Sequence, residues 1–443
     1  MKNFYSAAAS ALNFAKPPAS ALSDDDLRRI EETMRQCAQR RGGDVATGAR
    51  VAALIERYAA LDAADRIRVI DVAASFGNDE RVVDAAIAAV GAATDASTRA
   101  AAERALRAAL VPQRSALLRS FNLAPGGVKF LVELRSELLK SVPPTPARKE
   151  LEADCKELLA SWFDIGFLEM RRITWDAPAS LLERLARYEA VHEIRSWSDL
   201  KNRLDVDRRC FAFFHAVMPD EPLIFVEVAL TDRLSGDMPT LLDSVAPAGD
   251  PALATHAIFY SISNCQRGLE GISFGNALLK RVVEALSDEF RGLRTFATLS
   301  PLPNFRRWLE SRNPAERPDE SALREIFYGR RWVRDDQLAA SLRGPVIELG
   351  AHYLLEAKRP NGKAYDPVAH FHLSNGARLE RINWLADRSP TRMRESAGMM
   401  VNYVYRLDRI DENAQAYAEQ GRISAAPAVT ALLAAPAVRA QAE

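Results

Sequence analysis

Nothing in the 443-residue sequence approaches the uninterrupted apolar run of ~20 residues that a membrane-spanning helix needs. The N-terminus, MKNFYSAAASALNFAKPP, has one early lysine but no long apolar stretch, so it reads as a poor signal peptide. An excess of one charge is also missing. Lys plus Arg and Asp plus Glu each total 59, for a net charge of zero. A nucleic-acid-binding chain should show a basic excess or stripe, so composition argues against that class, though a local basic patch for a phosphorylated ligand stays open. Cysteine is scarce: Cys37, Cys155, Cys210 and Cys265 form no Cys-x-x-Cys pair. A chain this long needs no disulfide framework, and the four read as reduced, buried thiols of a cytoplasmic protein. There is no Gly-x-Ser-x-Gly elbow, P-loop or dinucleotide fingerprint.

What is present is a chain in two styles. SDDDLRRIEETMRQCAQRR opens with an N-cap serine, Ser23, and acids in the first turn, which suit the positive end of a helix. GARVAALIERYAALDAADRIRVIDVAASF and ERVVDAAIAAVGAA space apolar residues by three and four, and DASTRAAAERALRAALVPQRSALLRSF is rich in the strongest helix former. Residues 1–165 therefore read as an all-helical bundle domain, frayed before residue 23, whose alanine stripes suit close helix packing within or between subunits. After residue 165 the pattern changes. RCFAFFHAVMPDEPLIFVEVALT is two strands about a turn, and ATHAIFYSIS, LRTFATLS and VAHFHLSNGARLERINW add further strand-like runs. Residues 166–425 read as an α+β domain with a mostly antiparallel sheet, and residues 426–443 as a mobile, low-complexity tail. His370 and His372 fall in one of the strand-like runs, where a spacing of two puts them on one face.

The strongest local signal is SISNCQRGLEGISFGNALLKRVVEAL. A strand ends near Ser263. A loop with Gln266, Gly268, Gly271 and Gly275 follows, and a helix starts near Asn276. Such a loop exposes consecutive N–H groups beside a helix N-terminus, which suits a pyrophosphate. The same spacing also serves a strand-to-helix turn with no ligand.

This loop resembles the pyrophosphate loop of acetyltransferase-like (GNAT) folds that hold coenzyme A. Together with FATLSPLPNFRRWL, VAHFHLSNGARLERINWLADRS, FLEMRRITWDAPASLLERLARYEAVHEIRSWSDLKNRL and SAGMMVNYVY, it resembles malonyl-CoA decarboxylase, in family order over roughly residues 160–406. The resemblance implies a helical domain followed by a GNAT-like mixed-sheet catalytic domain. It implies decarboxylation of malonyl-CoA to acetyl-CoA and CO2, with no cofactor beyond the coenzyme A of the substrate. Gln266, Gly268, Glu270, Gly271, Ile272, Ser273, Phe274, Gly275 and Asn276, with Leu279 one turn on, would line the acyl-CoA path. Some family members carry glutamate where this chain has Ser273. Ser300 matches the catalytic serine, described as proton acceptor, and His372 the catalytic histidine, described as donor. Tyr403 and Tyr405 would close the pocket, with Tyr405 touching substrate. A homo-oligomer, dimer or tetramer, is expected through the helical domain.

Read from the residues alone, Ser300 ends a strand and His372 is a structural histidine. Loss of CO2 from a malonyl thioester leaves an enolate that needs fixed hydrogen-bond donors and then a proton, work suited to a serine and a histidine. A metal on His370 and His372 would need a third ligand and usually a fourth, and no spacing supplies them, so no metal is expected. Two other functions fit an acyl-CoA site: an N-acyltransferase with a groove for an amine, and a non-catalytic acyl-CoA-binding protein.

Overall fold

The computed structural model describes residues 22–140, 144–272, 277–312 and 331–433. The stretch before residue 22 and the loop residues Ser273, Phe274, Gly275 and Asn276 lie outside them. The chain forms two compact units that do not follow the sequence contiguously. The first comprises Met1–Phe167, His215–Pro219 and Gln266–Ser273, and the second Leu168–Phe214, Asp220–Cys265 and Phe274–Glu443.

The first unit is built from helices α1 (Asp24–Ala38), α2 (Gly43–Ala59), α3 (Ala63–Ala74), α4 (Glu80–Ala92), α5 (Ala96–Ala109), α6 (Gln113–Ser120), α7 (Gly127–Leu138) and α8 (Pro146–Trp162). They begin where the sequence supplies caps. The Asp26 N–H donates to Ser23 Oγ at 3.1 Å, and Asp95 and Thr98 form a reciprocal capping box. Val51, Leu117, Leu131, Leu151 and Leu159 are buried in the core, each contributing about 1.5–3 kcal/mol on removal from water. Helices α4 and α5 differ: they pack on each other, yet Ala86 is the only buried residue of α4 and α5 has none. Val82 and Ile87 stand exposed there.

Among the described residues the second unit holds an eight-stranded mixed sheet in the order β1-β2-β3-β4-β5-β8-β6, with β7 paired to β8 off that path. In chain order its elements are β1 (Leu168–Ile173), α9 (Ala179–Tyr188), α10 (Trp197–Asn202), β2 (Arg208–His215), β3 (Ile224–Thr231), α11 (Met238–Leu241), β4 (His256–Asn264) and α12 (Ala277–Glu289). Then come β5 (Thr295–Thr298), β6 (Ser300–Pro301), α13 (Phe305–Ser311), α14 (Asp336–Leu355), α15 (Pro367–Ser374), β7 (Arg378–Asn383), α16 (Pro390–Ser396), β8 (Met400–Tyr405), α17 (Ile410–Gln420) and α18 (Pro427–Thr430). The α+β class, with a helical part followed by a mixed sheet, is the one expected. β2, β3 and β4 are antiparallel, while β4 and β5 run parallel from His256↔Thr295 to Phe259↔Thr298. Past Phe259, β4 keeps β3 beside it to Asn264 and parts from β5. No helix among the described residues is long and apolar enough to cross a membrane.

Two expectations change. The run with His370 and His372 is helix α15, not a strand. Asp366 caps its start and Pro367 occupies its first position, which sets helical φ and needs no N–H partner. The chain also stays packed over residues 426–430, while residues 434–443 lie outside the described residues. The Ala426 N–H donates to Leu379 O at 2.8 Å, α18 packs on β7, and Ala426 and Val429 are buried. Backbone pairing with β7 holds a segment whose composition alone reads as loose.

Candidate active site

Helix α15 is short and is held at both ends. The Val368 and Ala369 N–H groups each donate to Asp366 Oδ1 at 2.9 Å, and the Tyr353 hydroxyl donates to Asp366 Oδ2 at 2.7 Å. At the other end Gly376 takes φ +78°. Its N–H donates to Leu373 O at 3.0 Å and the Ala377 N–H to His372 O at 3.1 Å, the two bonds of a Schellman closure. Residues two apart on a helix diverge by roughly 200°. His370 and His372 therefore part company. His370 sits half-buried with Nδ1 2.8 Å from the Tyr417 hydroxyl, and His372 turns into the core.

His372 meets Ser300 across 72 positions of sequence, with Nε2 2.9 Å from Ser300 Oγ. On its other side Nδ1 lies 2.8 Å from the Tyr405 hydroxyl. The ring stacks on Tyr403 with centroids 4.6 Å apart and planes 26° apart. Ser300 Oγ has a second partner, donating to Thr298 Oγ1 at 2.9 Å. A serine hydroxyl has one proton. With that proton on Thr298, Ser300 accepts from His372, so Nε2 carries hydrogen and the bare Nδ1 accepts from Tyr405. The hydrogen bonds then run in one direction: Tyr405 to His372 to Ser300 to Thr298.

The sheet positions this chain. Ala297↔Val404 and Ser300↔Val401 keep one register across β5, β6 and β8. Between them the ladder is carried by side chains. The Tyr403 N–H donates to Thr298 Oγ1 at 3.3 Å, and Asn402 Nδ2 donates to Thr298 O at 2.7 Å.

Burial sets the electrostatics. Ser300 and His372 are 6% and 3% exposed. Desolvation takes the His372 imidazole down to about 3 and raises the Tyr403 and Tyr405 phenols well above their ordinary value. The group on Nδ1 is a phenol rather than a carboxylate, so this is no hydrolase triad. A neutral imidazole with a hydrogen-bonded serine can hand a proton outward from a dry site. The hydroxyl of Tyr405, expected to touch substrate, lies on His372.

The glycine loop belongs to the first unit up to Ser273. Gln266 precedes a tight turn, Arg267–Leu269. Gly268 lies against α7: a Cβ there would meet Val132 O at 1.8 Å, and Arg135 Nη1 donates to Gly268 O at 2.6 Å. Glu270 is exposed, Ile272 is buried, and Gly271 takes φ +74°. A Cβ on Gly271 would lie 3.4 Å from Lys156 Nζ of α8. In the second unit α12 follows from Ala277, with Leu279 buried. Sequence reasoning singled out neither Lys156, Asn402 nor Thr298. For Thr298 a signal was there, since Thr-x-Ser spacing puts both hydroxyls on one face of a strand. Among the described residues, no group of three or more His, Cys, Asp or Glu could hold a metal ion.

Comparison with known proteins places this geometry in context. The family model for the malonyl-CoA decarboxylase C-terminal domain matches residues 166–443, and that for the N-terminal domain matches residues 76–163. The mitochondrial malonyl-CoA decarboxylase of Anser anser anser is 38% identical over 357 residues, 74% of this chain and 71% of that protein. The mitochondrial malonyl-CoA decarboxylase of Rattus norvegicus is 35% identical over 407 residues, 84% of this chain and 82% of that one. The crystal structure of malonyl-CoA decarboxylase from Rhodopseudomonas palustris superposes with a TM-score of 0.85 at 43% identity, covering 92% of this chain and 99% of that one. The one from Agrobacterium vitis gives 0.83 at 40% identity, covering 91% and 99%.

Proposed function

The chain belongs to the malonyl-CoA decarboxylase family and decarboxylates malonyl-CoA to acetyl-CoA and CO2, and we propose that it does so through the hydrogen-bonded chain Tyr405–His372–Ser300. The carbon–carbon bond to the carboxylate breaks, CO2 leaves, and its electron pair passes into the thioester as an enolate. The α-carbon then takes the proton of the Ser300 hydroxyl. Ser300 Oγ recovers a proton from His372 Nε2, and Nδ1 takes the Tyr405 proton, so neither an alkoxide nor an imidazolate persists. Tyr405 is reprotonated from water. A thioester enolate carbon is a far stronger base than a phenolate, so the transfer runs downhill even with a buried phenol. The carrying observation is the unbroken line of contacts from the Tyr405 hydroxyl to His372 Nδ1 at 2.8 Å and from His372 Nε2 to Ser300 Oγ at 2.9 Å.

The experiment is turnover of malonyl-CoA in D2O with no amine present, by wild type and Ser300→Ala. Wild type should give acetyl-CoA with one deuterium on the methyl carbon. The variant should bind malonyl-CoA and turn over about 10²–10³-fold more slowly. A Ser300→Ala variant decarboxylating at the wild-type rate would sink the reading.

In this reading Gln266, Gly268, Glu270, Gly271 and Ile272 of the first unit contact the acyl-CoA. Arg267 and Lys156, both of that unit, supply positive charge for its phosphates. No cofactor is added, since coenzyme A arrives with the substrate. The four cysteines are free and buried, which fits a cytoplasmic setting. The exposed apolar side chains of α4, Val82 and Ile87, support a homo-oligomer formed through the helical unit. Light scattering at micromolar concentration should report a dimer or tetramer, and a monodisperse monomer would exclude it.

A further inference from the structure

We propose that Thr298 is a positioning residue for the reaction: its hydroxyl takes the resting Ser300 proton and so fixes the direction in which His372 can give one. The inference rests on the Ser300 proton-delivery reading above, and adds the residue that orients it.

The argument starts from the strand. Thr298 and Ser300 are two positions apart, so their side chains share a face. Thr298 is fully buried and Ser300 nearly so. Ser300 Oγ donates to Thr298 Oγ1 at 2.9 Å and lies 2.9 Å from His372 Nε2. Each hydroxyl donates once, so an acceptor at Thr298 leaves Ser300 only its lone pairs for His372. That choice makes Nε2 the protonated nitrogen. Without the threonine hydroxyl, the Ser300 proton can turn to Nε2 instead. The imidazole would then carry hydrogen on Nδ1 and donate it to Tyr405, and the chain would point away from the substrate end.

Thr298 is itself fixed from β8. The Tyr403 N–H donates to its Oγ1 at 3.3 Å and Asn402 Nδ2 to its carbonyl at 2.7 Å. Asn402 is fully buried. Its Nδ2 also donates to Ser235 O at 2.9 Å, and its Oδ1 accepts from Asn383 Nδ2 at 2.8 Å and from Arg381 Nε at 3.2 Å. A hydroxyl held this way keeps one orientation through turnover. It stands behind Ser300, so it acts through Ser300 rather than on substrate.

The test pairs Thr298→Val, which keeps shape and removes the hydroxyl, with Thr298→Ser, which keeps the hydroxyl. Thr298→Val should lower kcat roughly 10–100-fold, at or below the lower end of general-acid effects, with KM within about twofold of wild type. Thr298→Ser should stay within about threefold of wild-type kcat, since the general-acid chain stays intact. Nitrogen-15 NMR of labelled histidine, assigned with His372→Ala, should show the hydrogen on Nε2 in wild type and displaced toward Nδ1 in Thr298→Val. A wild-type His372 protonated on Nδ1 overturns the proposal without any variant. So does a Thr298→Val enzyme with wild-type kcat, a kcat loss with no tautomer change, or a Thr298→Ser enzyme as slow as the valine variant. Full activity in Ser300→Ala, by contrast, removes the underlying reading rather than the part played by Thr298.

Discussion

His372→Ala should lower kcat for malonyl-CoA decarboxylation about a thousandfold, within the range of a lost general acid, and leave malonyl-CoA binding nearly unchanged. The substitution removes the group that reloads Ser300 and strands the Tyr405 hydroxyl, which has Nδ1 as its partner at 2.8 Å. Acetyl-CoA formation followed by mass spectrometry measures it, and a variant within tenfold of wild type would contradict the relay. The same burial predicts the pH profile. Desolvation brings the imidazole down to about 3, so it is neutral at both pH 5 and pH 8. Wild-type kcat should therefore show no half-loss near pH 6.5, where a solvated histidine titrates. A one-proton fall centred there in wild type would mean that His372 works as the imidazolium. Stability follows the same sign. The unfolded chain binds this proton from about pH 6.5 downward while the folded chain resists until about 3. Its contribution is thus fully present above pH 6.5 and is lost as the pH falls toward 3. His192, taken down to about 4 chiefly by desolvation, adds in the same direction.

Gly376→Ala should lower the melting temperature by roughly 10 °C or more, or leave the protein insoluble. Two effects add. An L side chain at φ +78° costs about 1–2 kcal/mol. A Cβ there would also meet Ile410 O at 2.1 Å, and a backbone oxygen at the start of α17 cannot swing aside. Together they put the substitution among the exceptional single changes of about 4 kcal/mol. The His372 carbonyl accepts the closing bond from Ala377, so surviving folded protein should also turn over slowly. Gly344→Ala is the control. It lies inside α14 at ordinary φ, with nothing within 4 Å of an added Cβ, and should be neutral or slightly stabilising. Thermal unfolding of the two variants side by side decides it, and equal melting temperatures would refute the argument.

The helical half was legible because its apolar spacing and caps agree, as at Ser23 and Asp95. Strands β2, β3 and β4 were legible for a matching reason: β-branched and aromatic runs broken by Pro, Asp and Asn. The run around His372 misled because eight mostly apolar residues carry no reliable period. The deciding signals lay at its ends, Asp366-Pro367 and Asn375-Gly376, and both are helix boundaries. Ser300 and His372 stood out through family resemblance, not through spacing. The partners of Thr298 on β8, and the pairing of Tyr405 with His372, were out of reach. They depend on contacts across strands such as Thr298 with Asn402 and Tyr403, and one sequence does not encode which side chain replaces a ladder bond. Residues 426–433 were misjudged because their alanines look loose until β7 supplies a hydrogen bond; residues 434–443 of that segment lie outside the described residues.

Gly268 has a consequence for anyone recombining relatives of this protein. Its missing Cβ leaves just enough room for the Val132 carbonyl, and its own carbonyl is clasped by Arg135. A loop transplanted from another parent must bring a glycine at that position, a matching arginine and the same helix contour. Residues 127–138 and 266–272 should therefore behave as one cassette, and chimeras whose crossover falls between them must draw both from the same parent.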